Sequence, residues 1–113
     1  MKLVETSITL GELRSLAAAR FGDLVKAVVD IRKGVMAVDA DLQSDEEALL
    51  LESGSAQADL WGINLYPGYP AEDWIEFDSM INIRPSQGNR SRGVDDPDTQ
   101  GRITVIVGTL VRE

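Results

Sequence analysis

Two apolar runs joined by a three-residue turn constrain this fold more than anything else in the chain. Leu24 to Ile31 (LVKAVVDI) is rich in β-branched residues and reads as a strand. Arg32-Lys33-Gly34 follows, with glycine at the hairpin position that wants positive φ, and Val35 to Val38 returns. Both faces carry apolar side chains, among them Ala27, Val28, Val29, Met36 and Val38. A strand pair of that kind belongs inside a sheet covered on both sides.

Helix signals flank the hairpin. Thr9 with Glu12 matches a capping box, and Ile8 and Leu13 sit where a hydrophobic staple closes it. Leu10, Leu13, Leu16 and Ala17 form the apolar stripe, and Gly22 offers a left-handed stop. Ser44 with Glu47 predicts a second capping box, with Asp45, Glu46 and Glu47 complementing the positive helix end until a stop near Gly54. Asp96 and Pro97 predict the N-cap and first position of a last helix. Ile103, Ile106, Val107, Leu110 and Val111 keep helical spacing there, although the β-branched content of residues 102–112 pulls toward strand.

A second hairpin is expected from Leu60–Tyr66 and Trp74–Arg84, joined by the Pro67-to-Pro70 turn. With Tyr66 opposite Trp74, Asn64 faces Glu76 and Gly62 faces Asp78. Trp61, Ile63 and Leu65 then share the other side with Ile75, Phe77, Ile81 and Ile83. Met1 to Glu5 adds a short strand or a lead-in. The expectation is one α+β domain over residues 1–113: an antiparallel sheet of four or five strands, built from two β-hairpins, packed with three helices in the order (β)αββαββα.

Composition narrows the chemistry. Eleven basic and 19 acidic side chains give a net charge of −8, which disfavours nucleic acid and anionic membranes as partners. Cysteine and histidine are both absent. Disulfides, thiolate metal sites and Ser-His-Asp or Cys-His mechanisms are excluded within one chain. No signal-peptide pattern or membrane-length apolar run is present, so a cytoplasmic protein without a cofactor is expected.

Two sites compete. The loop Arg84 to Gly93, with Asn82 before it, carries Arg84, Arg90 and Arg92 among Ser86, Gln87, Asn89 and glycines, without an acid. Arginine forks grip phosphate or carboxylate at two points, so this loop is the first candidate for binding a small anion or an acidic segment of a protein partner. The plainer alternative pairs Arg90 and Arg92 with Asp95, Asp96 and Asp98. The second candidate is the polar face of the long hairpin. Glu76 and Asp78, roughly 7 Å apart on one face, would act as an acid/base pair or share Mg²⁺ in a hydrolase or phosphoryl-transfer enzyme. Gly62 would leave room for the ligand there, and a merely solvated hairpin face is the alternative. No other metal site is expected, since Asp41, Asp45, Glu46 and Glu47 lack EF-hand spacing. Trp74, Tyr69 and a sheet edge would serve a third reading, a homodimer or interaction module, with Trp61 in the core.

The segments DEEALLLESGS, LWGINLYP and WIEFDSMINIRPSQGNRSRGV together resemble an uncharacterised family of short prokaryotic proteins, domain-of-unknown-function family 5674. The resemblance covers nearly the whole chain. It implies no catalytic residue. The resemblance also implies two departures: a histidine that relatives often have where this chain has Gln43, and a last helix more charged and more helix-forming than Gly101 to Val111.

Overall fold

The hairpin read from Leu24 to Val38 forms as β3 (Val25–Asp30) and β4 (Val35–Val38), with Gly34 at φ 71. Asp30 fixes its turn: one carboxylate oxygen accepts from the Arg32 and Lys33 amides at 2.8 and 2.9 Å, the other from the Ser55 hydroxyl at 2.6 Å. The computed structural model describes residues 1–113. In it β3 is central, pairing with β4 on one side and with β5 (Leu60–Leu65) on the other. β1 (Lys2–Val4) lies outside β4 and β6 (Ile75–Glu76) outside β5, so the antiparallel order is β1-β4-β3-β5-β6.

Both faces of this sheet are covered, as its double-sided apolar pattern requires. Val25, Ala27, Val29, Met36, Val38, Trp61, Ile63 and Leu65 pack on α1 (Leu10–Arg20) and α3 (Pro97–Leu110). Val28, Ala37 and Leu60 pack on Leu50 of α2 (Gln43–Glu52). The first cluster holds 17 buried residues and the second four, so most of the hydrophobic stabilisation lies on the α1/α3 side. A fully buried branched side chain contributes about 1.5–3 kcal/mol.

α1 starts as read. Thr9 Oγ1 accepts from the Glu12 amide at 3.0 Å and donates to the Glu12 carboxylate at 3.3 Å, while Ile8 and Leu13 are both buried. α3 starts at Asp96, whose carboxylate accepts from the Asp98 amide and the Thr99 hydroxyl. Helix prevails over strand propensity because Ile103, Val107 and Leu110 bury one stripe in the larger core. Gly101 and Gly108 on its exposed side each cost about 1 kcal/mol relative to alanine. The helix ends at Leu110, and Val111–Arg112 (β7) pairs parallel with Ile8–Thr9 (β2). No helix is long and apolar enough to cross a membrane.

Two expectations require correction. The start of α2 is not a capping box: Leu42, not Ser44, stands at the cap, and no side chain caps it. The first turn is held from inside instead. Gln43 turns onto β5, and Glu46, expected at the solvated helix end, is fully buried and accepts from the Ala40 amide at 3.1 Å. The second correction concerns the long strand read over Trp74–Arg84, which stops after Glu76. Its continuation folds across β5 in two short 3₁₀ turns, Met80–Asn82 and Pro85–Gln87. Ile81 consequently packs in the smaller cluster with Leu60, and Ile83 is exposed, so neither joins Trp61 and Ile63.

Burial pushes the Glu46 carboxyl up to about 9, against partial opposition from the Ala40 amide and the charge of Lys26. The folded protein therefore holds a proton that the unfolded chain releases above its ordinary value of 4.5. Through this group, stability is highest below about 4.5 and declines as pH rises toward about 9. The slope is up to about 1.4 kcal/mol per pH unit. Glu46→Gln is expected to flatten that decline in urea unfolding series run across the same range. Parallel pH profiles for the two proteins would contradict this account.

Candidate functional site

The turn end of the second hairpin keeps its expected register. Asn64 lies opposite Glu76, and the Tyr66 amide donates to the Trp74 carbonyl at 2.8 Å. Beyond Glu76 the partner of β5 changes from a strand to side chains. Ser79, not Asp78, lies over Gly62, and a Cβ on Gly62 would come within 2.4 Å of the Ser79 Cβ. The space expected there for a ligand is filled by the chain itself. Asn82 then reads Gly62 as a neighbouring strand would: its Oδ1 accepts from the Gly62 amide at 2.8 Å and its Nδ2 donates to the Gly62 carbonyl at 2.9 Å.

Most polar residues of the arginine loop hold the loop together. Asn82 and Asn89 are buried. Asn89 donates to the carbonyls of Asn82 at 2.7 Å and Gly93 at 2.9 Å, and its oxygen accepts from the Asp95 amide at 2.8 Å. The Arg84 guanidinium sits over the Trp61 ring, its Cζ 4.4 Å from the centroid. Its guanidinium donates to the carbonyls of Ile81, Gln57 and Leu60 and to the Gln87 side chain. Burial lowers its pKa. Arg92 pairs with Asp78 at 2.6 Å. Arg90 is exposed, with no side-chain ion pair, and Ser86 is exposed in the Pro85–Gln87 turn. The three arginines thus go to three different places.

The carboxylates after the loop do other work than pairing with Arg90 and Arg92. Asp95 accepts from the Ser91 hydroxyl and the Arg90 amide, and these bonds hold its carboxyl below the ordinary range. Asp96 caps α3.

Glu76 and Asp78 have separate partners. Glu76 Oε1 accepts from Asn64 Nδ2 at 2.8 Å and from the Tyr66 hydroxyl at 3.2 Å. Asn64 is itself oriented by Gln43, whose amide donates to Asn64 Oδ1 at 3.2 Å and to the Ile63 carbonyl at 2.8 Å. A polar relay thus runs from α2 through β5 to Glu76. No set of three carboxylates is grouped closely enough to hold a metal ion. Of the earlier acidic run, Asp41 pairs with Arg20 at 2.7 Å and Glu46 is core, so that run makes no site.

Glu76 opens instead into a groove of about 520 Å³. Tyr66 and Tyr69 stack there with centroids 5.1 Å apart and planes at 10°. Asp23, Glu72, Asp73 and Glu76 supply four carboxylates to the lining, and no basic side chain lines it. The tyrosine pair is braced from behind, because the Trp74 indole donates to the Tyr69 carbonyl at 2.7 Å and the Tyr69 amide donates to the Tyr66 carbonyl at 3.1 Å. Burial, followed by the bond to Glu76, raises the Tyr66 pKa. Asp23, Glu72 and Asp73 were not among the residues singled out by the sequence. Their signal lies in register: Val25 faces Leu65, so the residues before β3 meet the turn after β5.

The chain belongs to the family described as protein of unknown function, DUF5674, which it matches over residues 2–110. No curated protein and no solved structure matches it. Asn82 is the residue whose loss should most disturb the region. Asn82→Ala leaves both Gly62 backbone groups unpaired beneath Ser79, with an expected cost of about 2–4 kcal/mol in chemical denaturation. Ser86→Ala, exposed in the same loop, is expected to change stability by less than about 0.5 kcal/mol.

Proposed function

We propose that the chain is a small binding protein whose acidic groove beside the β5–β6 turn takes a cationic, lysine- or arginine-bearing segment of a protein partner. The observation that carries this reading is the lining itself: four carboxylates around a stacked tyrosine pair, with no basic side chain among them. Carboxylates attract an ammonium or guanidinium group, and tyrosine faces add a cation–π contribution once water is displaced. Carboxylates spread along a groove suit a chain of positive groups better than a single metal ion. The net charge of −8 draws such a partner in from solution.

This reading replaces the anion site as the favoured one. Of the loop arginines, only Arg90 has its side chain free of an internal partner, whereas Arg84 and Arg92 are engaged. It is also favoured over the carboxylate enzyme, whose two acids are drawn to different neighbours.

The test is a titration of the protein with an arginine-rich peptide, an uncharged control peptide and a phosphorylated acidic peptide, followed by tryptophan fluorescence or amide chemical shifts. The arginine-rich peptide is expected to bind and to weaken as salt rises. Combined Glu72→Gln and Asp73→Asn should weaken it about tenfold, equivalent to about 1.4 kcal/mol. Arg90→Ala should have no effect. Binding of the acidic peptide alone, lost on Arg90→Ala, would return the site to the loop.

A further inference from the structure

The solvent-facing side of α3 is composed of residues that a lone helix gains nothing from displaying. Gly101, Thr104, Val105, Gly108 and Thr109 are all exposed, Val105 by 68%. Glycine and β-branched residues disfavour helix, so on an open surface each works against the element that carries it. The Thr104 and Thr109 hydroxyls donate back to the carbonyls of Gln100 and Val105, at 2.9 and 2.8 Å. Their hydrogen-bonding capacity is thereby turned onto their own helix. A Cβ placed on Gly101 or Gly108 would meet nothing within the chain, so no internal contact requires either glycine. Beside this face runs a groove of about 640 Å³, lined by Pro97, Asp98, Gly101, Arg102 and Val105 among others.

The charges in the groove also lack ion-pair partners. Asp98 and Arg102 stand one helical turn apart, and neither belongs to an ion pair. Arg102 makes one hydrogen bond, to the Ile31 carbonyl at 3.2 Å. Opposite charges one turn apart on a single helix face are self-complementary under a two-fold axis, because each copy offers both members of the pair.

We propose that this face is a homodimer interface, in which α3 packs antiparallel on α3 of a second copy about a two-fold axis near Gly101. Gly101 then meets Gly101 of the second copy, where the missing side chains allow close backbone approach. Val105 of each copy meets Pro97 of the other, four residues to either side of the axis. Asp98 of each copy reaches Arg102 of the other, offset by about 3 Å along the helix at 1.5 Å per residue, which an arginine side chain spans. The interface shares no residue with the tyrosine-walled groove, so it stands or falls independently of the function proposed above.

Sedimentation equilibrium from micromolar to near-millimolar protein tests this. The native chain is expected to dimerise, and Val105→Glu to raise the dimer dissociation constant at least about tenfold with circular dichroism unchanged. Asp98→Arg and Arg102→Asp should each weaken the dimer, and the two together should restore it, which a purely structural effect on folding would not do. A native chain that stays monomeric throughout, a dimer indifferent to Val105→Glu, or a double reversal no tighter than the single ones would overturn the proposal.

Discussion

The edge of β5 is closed by side chains, and much of the molecule depends on that closure. β5 is buried along its whole length and pairs with β3 over six residues. Its outer edge presents Leu60, Gly62 and Asn64, but β6 reaches only as far as Asn64. Asn82 supplies an amide that pairs both backbone groups of Gly62, and Arg84 supplies the donor for the Leu60 carbonyl. An open strand edge is a template for pairing with other chains, and unpaired buried backbone groups are costly. Two side chains solve both problems where a third strand would otherwise be needed. Glycine at position 62 is the complement of this device, since only a residue without a Cβ lets Ser79 lie directly above.

Closing the edge this way engages several polar side chains of the loop. Asn82, Arg84 and Asn89 are spent on backbone groups, and Arg92 on Asp78. Of the loop's donors, Asn82, Arg84 and Asn89 are turned inward, and Arg90 keeps its guanidinium on the surface. The acids of the hairpin turn are treated differently. Glu76 is oriented by Asn64 and Tyr66, and Glu72 and Asp73 line the same opening. The carboxylates of this turn face an open groove rather than a backbone group.

The pattern of what the sequence discloses follows the range of the interactions. The first hairpin, the Thr9 and Asp96 caps and the Asn64–Glu76 register are set by residues close together in the chain, and each was legible. The stretch after Glu76 was not. Phe77, Ile81 and Ile83 alternate as a strand would, while the deciding contact joins Asn82 to Gly62, 20 residues away. Glu46 misled for a related reason. An acid in a first helical turn ordinarily faces water, and only the amide of Ala40, in the link between β4 and α2, explains why this one turns inward. The groove acids come from two loops that meet only after β3 and β5 have paired.

The parallel contact between β2 and β7 joins Ile8 to Val111 and Thr9 to Arg112. α3, just before β7, contributes Ile103, Val107 and Leu110 to the larger core. During synthesis from the N-terminus, the sheet and α1 leave the ribosome well before that wall of the core exists. The nascent chain must keep Val25, Ala27 and Val29 from other apolar surfaces until residues 103–110 arrive. Contacts of such long sequence separation slow folding. The last helix is therefore the latest-made wall of the larger core, and the sheet's apolar face is synthesised before the residues that cover it.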